Sequence, residues 1–206
     1  MIAALFVERG GVYWDLPDVD PWDVTRDARL YAGQHPVVAH PPCERWGRYW
    51  GGGPSAKIKR KLGDDGGCFS LALEAVRCWG GVLEHPEASH AWKHFGLIPP
   101  LRGGGWSVAD EHGGWTCCVE QGAYGHKARK ATWLYAVDCD LPILTWESPL
   151  EHTRLDAGFH SKAERAASTA PPTKRLTRAE CLATPPAFRD VLLSMARTVS
   201  SARSAA

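Results

Sequence analysis

The chain has 206 residues, 44% of them hydrophobic and 23% charged, with a formal net charge of +1. That length suits one domain with a sizeable core, and the composition is that of an ordinary soluble globular protein. The balanced charge excludes a global field for nucleic acid, so any such contact must come from local patches.

The opening MIAALFVERGG carries an apolar run too short for the core and cleavage site of a signal peptide, and it lacks a basic start. No stretch approaches the roughly 20 apolar residues of a membrane span, so no membrane partner is expected. The seven cysteines include no Cys-x-x-Cys pair and read as reduced thiols of a cytoplasmic protein. His35, His40 and Cys43 have ligand-like spacing but no fourth partner, so no metal site is expected. Ten tryptophans are an unusual number and suit either core or contact surface.

In chain order, Ile2 to Val7 reads as a buried strand, followed by Gly10-Gly11. Residues 12 to 23 hold two prolines and four aspartates and read as loop. Thr25 to Tyr31 suits one or two helical turns. Pro36 to Ala39 is a short apolar strand that runs into His40-Pro41-Pro42-Cys43. Two prolines cannot continue a central strand, so Cys43 falls just past a strand's C-terminal end, where open α/β sheets keep their ligand sites. Glu44, Arg45, Trp46, Arg48, Tyr49, Trp50 and Gly51-Gly52-Gly53-Pro54 follow as a loop of cations, rings and glycines. Residues 51 to 67 are Gly-rich, with Lys57, Lys59, Arg60 and Lys61 together.

Cys68 to Trp79 is the clearest helix: Phe69, Ala72, Leu73, Val76 and Trp79 share one face. Gly80-Gly81 ends it, and Val82-Leu83-Glu84 form a strand stopped by His85-Pro86. Helix, glycine turn and strand together mark an α/β chain. Ser89 to Phe95 suits a short helix, and residues 97 to 114 read as loop. Trp115 to Gln121 and Thr132 to Val137 suit a hairpin with the basic tip GAYGHKARKA. Residues 138 to 170 are polar and irregular. Thr184 suits the cap of a last helix with Pro185 or Pro186 in its first turn and an apolar stripe of Phe188, Val191, Leu192, Met195 and Val199. The tail 200–206 reads as disordered.

Several pieces occur in an order that resembles the cytosine-5 DNA methyltransferases, and more closely short phage and actinobacterial proteins of that type. Pro41-Pro42-Cys43 resembles the family's nucleophile loop, and Glu84-His85-Pro86 its Glu-Asn-Val or Glu-Asn-Pro element. Gln121 with Lys127 and Arg129 is similar to the Gln-x-Arg-x-Arg strand. Arg175 to Glu180 is similar to the Arg-x-Leu-Thr-x-Arg-Glu element. Ala4 to Gly11 resembles the cofactor-binding opening, with Glu8 where the first glycine belongs, and Asp23-Val24-Thr25 resembles the adenine-contacting Asp-Ile element.

The resemblance implies a Rossmann-like methyltransferase fold, three-layered around a mixed, mostly parallel sheet. A single domain would span 1–199, with 138–173 a short irregular insertion in place of a target-recognition domain. The implied nucleophile is Cys43, the implied general acid Glu84, and Lys127 and Arg129 hold the ring carbonyl or a neighbouring phosphate. Phe6, Glu8, Gly10, Gly11, Asp23 and Pro41 are the implied contacts of S-adenosylmethionine. Arg45, Trp46, Arg48, Gln121 and Arg178 are those of DNA or a pyrimidine nucleotide. A second subunit for target recognition, another one-carbon donor, exocyclic-amino methylation and a non-catalytic DNA-binding relative or phage accessory protein stay open beside it.

Overall fold

A computed structural model of the chain describes residues 1–52, 57–58, 60–101, 103–147 and 176–200. Gly53, Pro54, Lys59, Arg175, most of the expected insertion and residues 201–206 of the tail lie outside the described residues.

Seven strands form one sheet: β1 (Ile2–Leu5), β2 (Val19–Trp22), β3 (Val37–Ala39), β4 (Gly81–Pro86), β5 (Ser107–Val108), β6 (Trp115–Glu120) and β7 (Ala131–Val137). Their order across the sheet is β2-β1-β3-β4-β7-β6-β5. The pairings β2-β1, β1-β3 and β3-β4 are parallel, whereas β7 runs antiparallel to both β4 and β6. β6 therefore points the same way as β4, and β7 and the antiparallel edge strand β5 oppose them. The helices are α1 (Cys68–Trp79), α2 (His90–His94), α3 (Arg178–Leu182) and α4 (Pro186–Arg197).

β1 and β3 are buried on both faces, which is why their sequences are continuous apolar runs rather than alternating ones. The pleat sorts their side chains. Ala3, Leu5, Val37, Ala39 and Leu83 meet Phe69, Ala72, Leu73 and Val76 of α1. Ile2, Ala4, Val38 and Val82 meet Phe188, Leu192, Leu193 and Met195 of α4. Helices thus cover both faces of a mixed sheet, an α/β architecture in three layers.

α1 spans the residues expected of it, but its cap lies upstream. Gly67 is the N-cap residue, and the side chain of Asp65 receives the N–H groups of Gly67 and Phe69, both at 2.9 Å. α4 begins behind Pro185, not behind a Thr184 cap, with Pro186 filling its first position, where the missing N–H costs nothing. Thr177 is the capping residue instead: with Glu180 it forms a capping box at the start of α3.

The expectation of loop over residues 12 to 23 is corrected, because Val19–Trp22 is a strand. It lies at the edge of the sheet, where Pro21 deprives no neighbour of a hydrogen bond. Short β5 likewise lies within the expected loop of 97 to 114. No helix among the described residues is long and apolar enough to cross a membrane.

At the parallel β3–β4 contact, Gly81 has φ +117 and sits opposite Val37. A Cβ there would lie 2.0 Å from the Val37 carbonyl oxygen. Gly81→Ala is expected to destabilise the protein by about 3 kcal/mol or more, read as a lower urea midpoint with an unchanged slope. An unchanged midpoint would contradict this strand pairing.

Candidate functional site

The sheet changes direction of winding at β1. The chain goes from β1 to β2 on one side and then to β3 on the other. Open α/β sheets keep their ligand sites at such a switch point, and here the Tyr13 hydroxyl and His40 Nε2, 2.8 Å apart, join the loops that leave the C-terminal ends of β1 and β3. The site residues gather at that end of the sheet.

The core of the site is Glu84, near the end of β4 and 8% exposed. His40 Nδ1 donates to Glu84 Oε2 at 2.9 Å, so this nitrogen carries a proton. Gln121 Nε2 and Thr132 Oγ1 donate to Glu84 Oε1 at 3.1 and 2.9 Å. His40 lies just past β3, Gln121 just past β6 and Thr132 on β7, so donors from three neighbouring elements meet one carboxylate. Burial works against its charge most strongly, but the hydrogen bond and charge of His40, with help from Lys130 and His85, bring its pKa down to about 2. At neutral pH Glu84 is a carboxylate.

Cys43 sits in the next turn of the β3 loop and is half-buried. Its carbonyl accepts from the N–H groups of Trp46 and Gly47 at 3.0 and 2.8 Å, which fixes the loop in a tight turn. Burial raises the thiol's pKa, the Glu84 charge raises it further, and Lys130 pulls the other way. At neutral pH Cys43 is therefore a thiol. Lys130 itself is lowered by burial and supported by the charges of Glu84, Cys43 and Cys181. Its ammonium donates to the Leu182 and Ala183 carbonyls at 3.1 and 2.7 Å, the end of α3. Its backbone takes φ +42, a left-handed conformation that costs a non-glycine residue about 1–2 kcal/mol.

The structure redistributes several residues that the sequence puts in the site. Gln121 is fully buried and holds Glu84, so it is no surface contact for DNA. Trp46 is 2% exposed and gives its indole N–H to Asp65 at 2.7 Å, so it is a core residue and not a stacking platform. Arg129 emerges on the opposite face of the sheet, because Glu120 and Ala131 alternate with Gln121 and Thr132. There it donates to Glu120 at 2.8 Å and lines a cavity of about 380 Å³ with Glu87, Cys118, Trp146 and Glu147. Lys127 is paired with Glu180 at 2.5 Å, and Arg178 with Glu44. Arg45 and Arg48 stay beside the Cys43 turn, half-buried and exposed respectively, and neither forms an ion pair among the described residues.

Around the β1 loop, Phe6 adopts φ +59 and Gly10 φ +64. A Cβ on Gly11 would meet the Glu8 carbonyl oxygen at 3.0 Å, and Glu8 itself is exposed. Asp23 is 2% exposed. Its Oδ1 accepts from Thr25 Oγ1 and N at 2.6 and 2.9 Å, whereas Oδ2 is buried with no partner among the described residues. Pro41 is buried beneath the Cys43 turn.

The sequence gives no functional signal at Tyr13 or Thr132, marks Lys130 only as part of the basic hairpin tip, and gives His40 no catalytic part. Tyr13 lies in the Asp-rich stretch read as loop. His40 directly precedes the Pro-Pro-Cys turn, which was the available signal. Among the described residues no group of three His, Cys, Asp or Glu side chains is placed to hold a metal ion. No family model, curated protein or solved structure matches the chain.

His85 follows Glu84 on the opposite face, fully buried against Phe69 and Trp92. Burial holds its pKa down at about 4, against the pull of Glu84. Below its unfolded value of 6.5 the unfolded chain takes the proton first, so His85's contribution is full above pH 6.5 and is lost as pH falls toward 4. Glu84 adds a second loss between 4.5 and about 2, because its folded pKa is depressed. The urea midpoint is therefore expected to fall in two overlapping stages on acidification. His85→Phe should remove the upper stage, about 3 kcal/mol by pH 4. An unaltered upper stage in that variant would contradict this account.

Proposed function

We propose that the chain modifies carbon 5 of a cytosine through a covalent adduct on Cys43, with S-adenosylmethionine as the methyl donor. The observation that carries this reading is the placement of Cys43 and Glu84 past and at the C-terminal ends of the adjacent parallel strands β3 and β4, close enough for the Glu84 charge to raise the pKa of the Cys43 thiol. The seven-stranded mixed sheet with helices on both faces supports a Rossmann-like methyltransferase fold.

Carbon 5 of cytosine is a poor nucleophile. The Cys43 thiol first loses its S–H proton to solvent; addition of the resulting thiolate then forms an S–C6 bond and sends the ring's π electrons toward N3, which takes up a proton. Carbon 5 is then an enamine carbon. Cysteine suits this because its thiolate adds readily and leaves again when the ring recovers its aromaticity. Glu84 delivers the proton to N3 and takes it back. It must receive that proton first, since alone it is ionised. Lys130 offsets negative charge beside the sulfur. A base in a duplex reaches Cys43 only outside its stack.

The residues around the β1 loop fit S-adenosylmethionine at one end. The orphaned Asp23 Oδ2 is a buried acceptor suited to an exocyclic amino group, and Gly10 keeps the loop backbone open to close approach. The cofactor supplies an electrophilic methyl group to the enamine carbon. Glu8 is the misfit, a carboxylate where a glycine belongs. The pairing of Lys127, Arg129 and Arg178 with carboxylates of the same chain weighs against a non-catalytic phosphate-binding relative. Arg45 and Arg48 remain as candidate contacts for the target nucleotide.

Calorimetry with S-adenosylmethionine tests the cofactor assignment. Wild type is expected to bind, and Glu8→Gly to bind about tenfold more tightly because a like-charge repulsion is removed. Absence of binding by both would contradict S-adenosylmethionine as donor. Cys43→Ser is expected to abolish methylation of cytosine in DNA while keeping the wild-type urea midpoint within ~0.5 kcal/mol. Full activity in that variant would overturn the nucleophile assignment.

A further inference from the structure

Glu84 is not the end of its hydrogen-bonded line. The Tyr13 hydroxyl lies 2.8 Å from His40 Nε2, and His40 Nδ1 lies 2.9 Å from Glu84 Oε2. Tyr13 is 3% exposed, and the side chains of His40 and Glu84 are 13% and 10% exposed. The line runs from the loop after β1, through the loop after β3, to the end of β4. Water has little access to any member.

Burial, helped by the charge of Glu84, raises the pKa of Tyr13 well above the usual phenol value, so this hydroxyl keeps its proton. A phenol that keeps its proton still rotates it: Tyr13 donates to a bare Nε2 and accepts from a protonated one. His40 therefore holds one proton or two without losing either hydrogen bond. The charged groups acting on the line are Lys130 and His85 on Glu84, and Arg189 and Asp190 of α4 on Tyr13; Glu84 in turn acts on Cys43.

We propose that His40 is a positioning residue that supplies the proton Glu84 delivers, with Tyr13 holding its far nitrogen. The step starts from the doubly protonated ring. The Nδ1–H bond breaks as an O–H bond forms at Glu84 Oε2. That O–H bond then breaks as N3 of the Cys43 adduct takes the proton. His40 keeps its second proton on Nε2, donated to the Tyr13 oxygen. When the adduct collapses, the N3 proton returns by the same path. This rests on the reading of Cys43 as nucleophile and Glu84 as acid, and it explains how a carboxylate held near pKa 2 acts as an acid at neutral pH.

The experiment measures tritium release from a duplex oligonucleotide carrying cytosine tritiated at carbon 5, which reports adduct formation and collapse. Wild type releases tritium and Cys43→Ser does not. His40→Asn keeps an N–H donor near the Nδ1 position but cannot carry a second proton. Its kcat is expected to fall by about 10²–10⁴-fold with KM changed less than about threefold. Added imidazole is expected to restore part of the rate to His40→Gly. An unchanged kcat in His40→Asn overturns the proposal, as does a loss that appears mainly in KM and that imidazole does not rescue. A wild type that releases no tritium overturns the parent reading instead.

Long-range proton–nitrogen NMR correlation reads the same line without turnover. The proposal expects a proton on Nδ1 of His40 and a shifted Nε2 signal in Tyr13→Phe. A ring protonated on Nε2 alone overturns it.

Discussion

A carboxylate taken out of water must be met by donors, and Glu84 is met from three sides. His40 reaches it from the end of β3, and Gln121 and Thr132 from the β6–β7 hairpin. Leaving such a charge unpaired costs several kcal/mol, so the four residues hold one another in place. The constraint works outward. It sets the direction in which His40 leaves β3, hence where the Pro-Pro turn places Cys43. It also requires β7 to lie between β4 and β6, because only then do Thr132 and Gln121 face β4 from the same side.

The C-terminal elements close this arrangement. α4 packs Phe188, Leu192 and Leu193 under the strands that carry the site. α3 lies beside its mouth, joined to the hairpin through Lys127, Lys130 and His126 and to the Cys43 turn through Arg178 and Glu44. Exposed ion pairs each contribute little, so the contact rests also on the carbonyls that Lys130 caps. The same contacts consume the cations that a surface reading assigns to phosphate.

Much of the sheet and the position of Cys43 past the end of β3 was legible, because both depend on local pattern. β3, α1, β4 and the hairpin follow from apolar periodicity broken by glycine and proline. The pairing of Cys43 with Glu84 followed from the order of motifs. What was not legible depends on the third dimension. Pro21 reads as a strand breaker until its strand is known to lie at an edge. Trp46 reads as a stacking ring until Asp65, 19 residues away, accepts its N–H. Lys127, Arg129 and Lys130 are near neighbours in sequence, but the pleat and the left-handed turn at Lys130 send Arg129 to one face and Lys130 toward Cys43. Tyr13 was hidden in an Asp-rich segment whose polarity marks a loop but not what it covers.

The central claim is a covalent bond from Cys43 to a pyrimidine, and it is tested most directly by trapping that bond. In an oligonucleotide with fluorine at carbon 5 of cytosine there is no proton to remove once that carbon is methylated, so the sulfur cannot be eliminated. Intact-mass analysis after incubation with this oligonucleotide and S-adenosylmethionine is predicted to show one protein–oligonucleotide adduct, mapped to Cys43 by peptide digestion and absent from Cys43→Ser. A wild-type protein that stays at its unmodified mass would contradict the account.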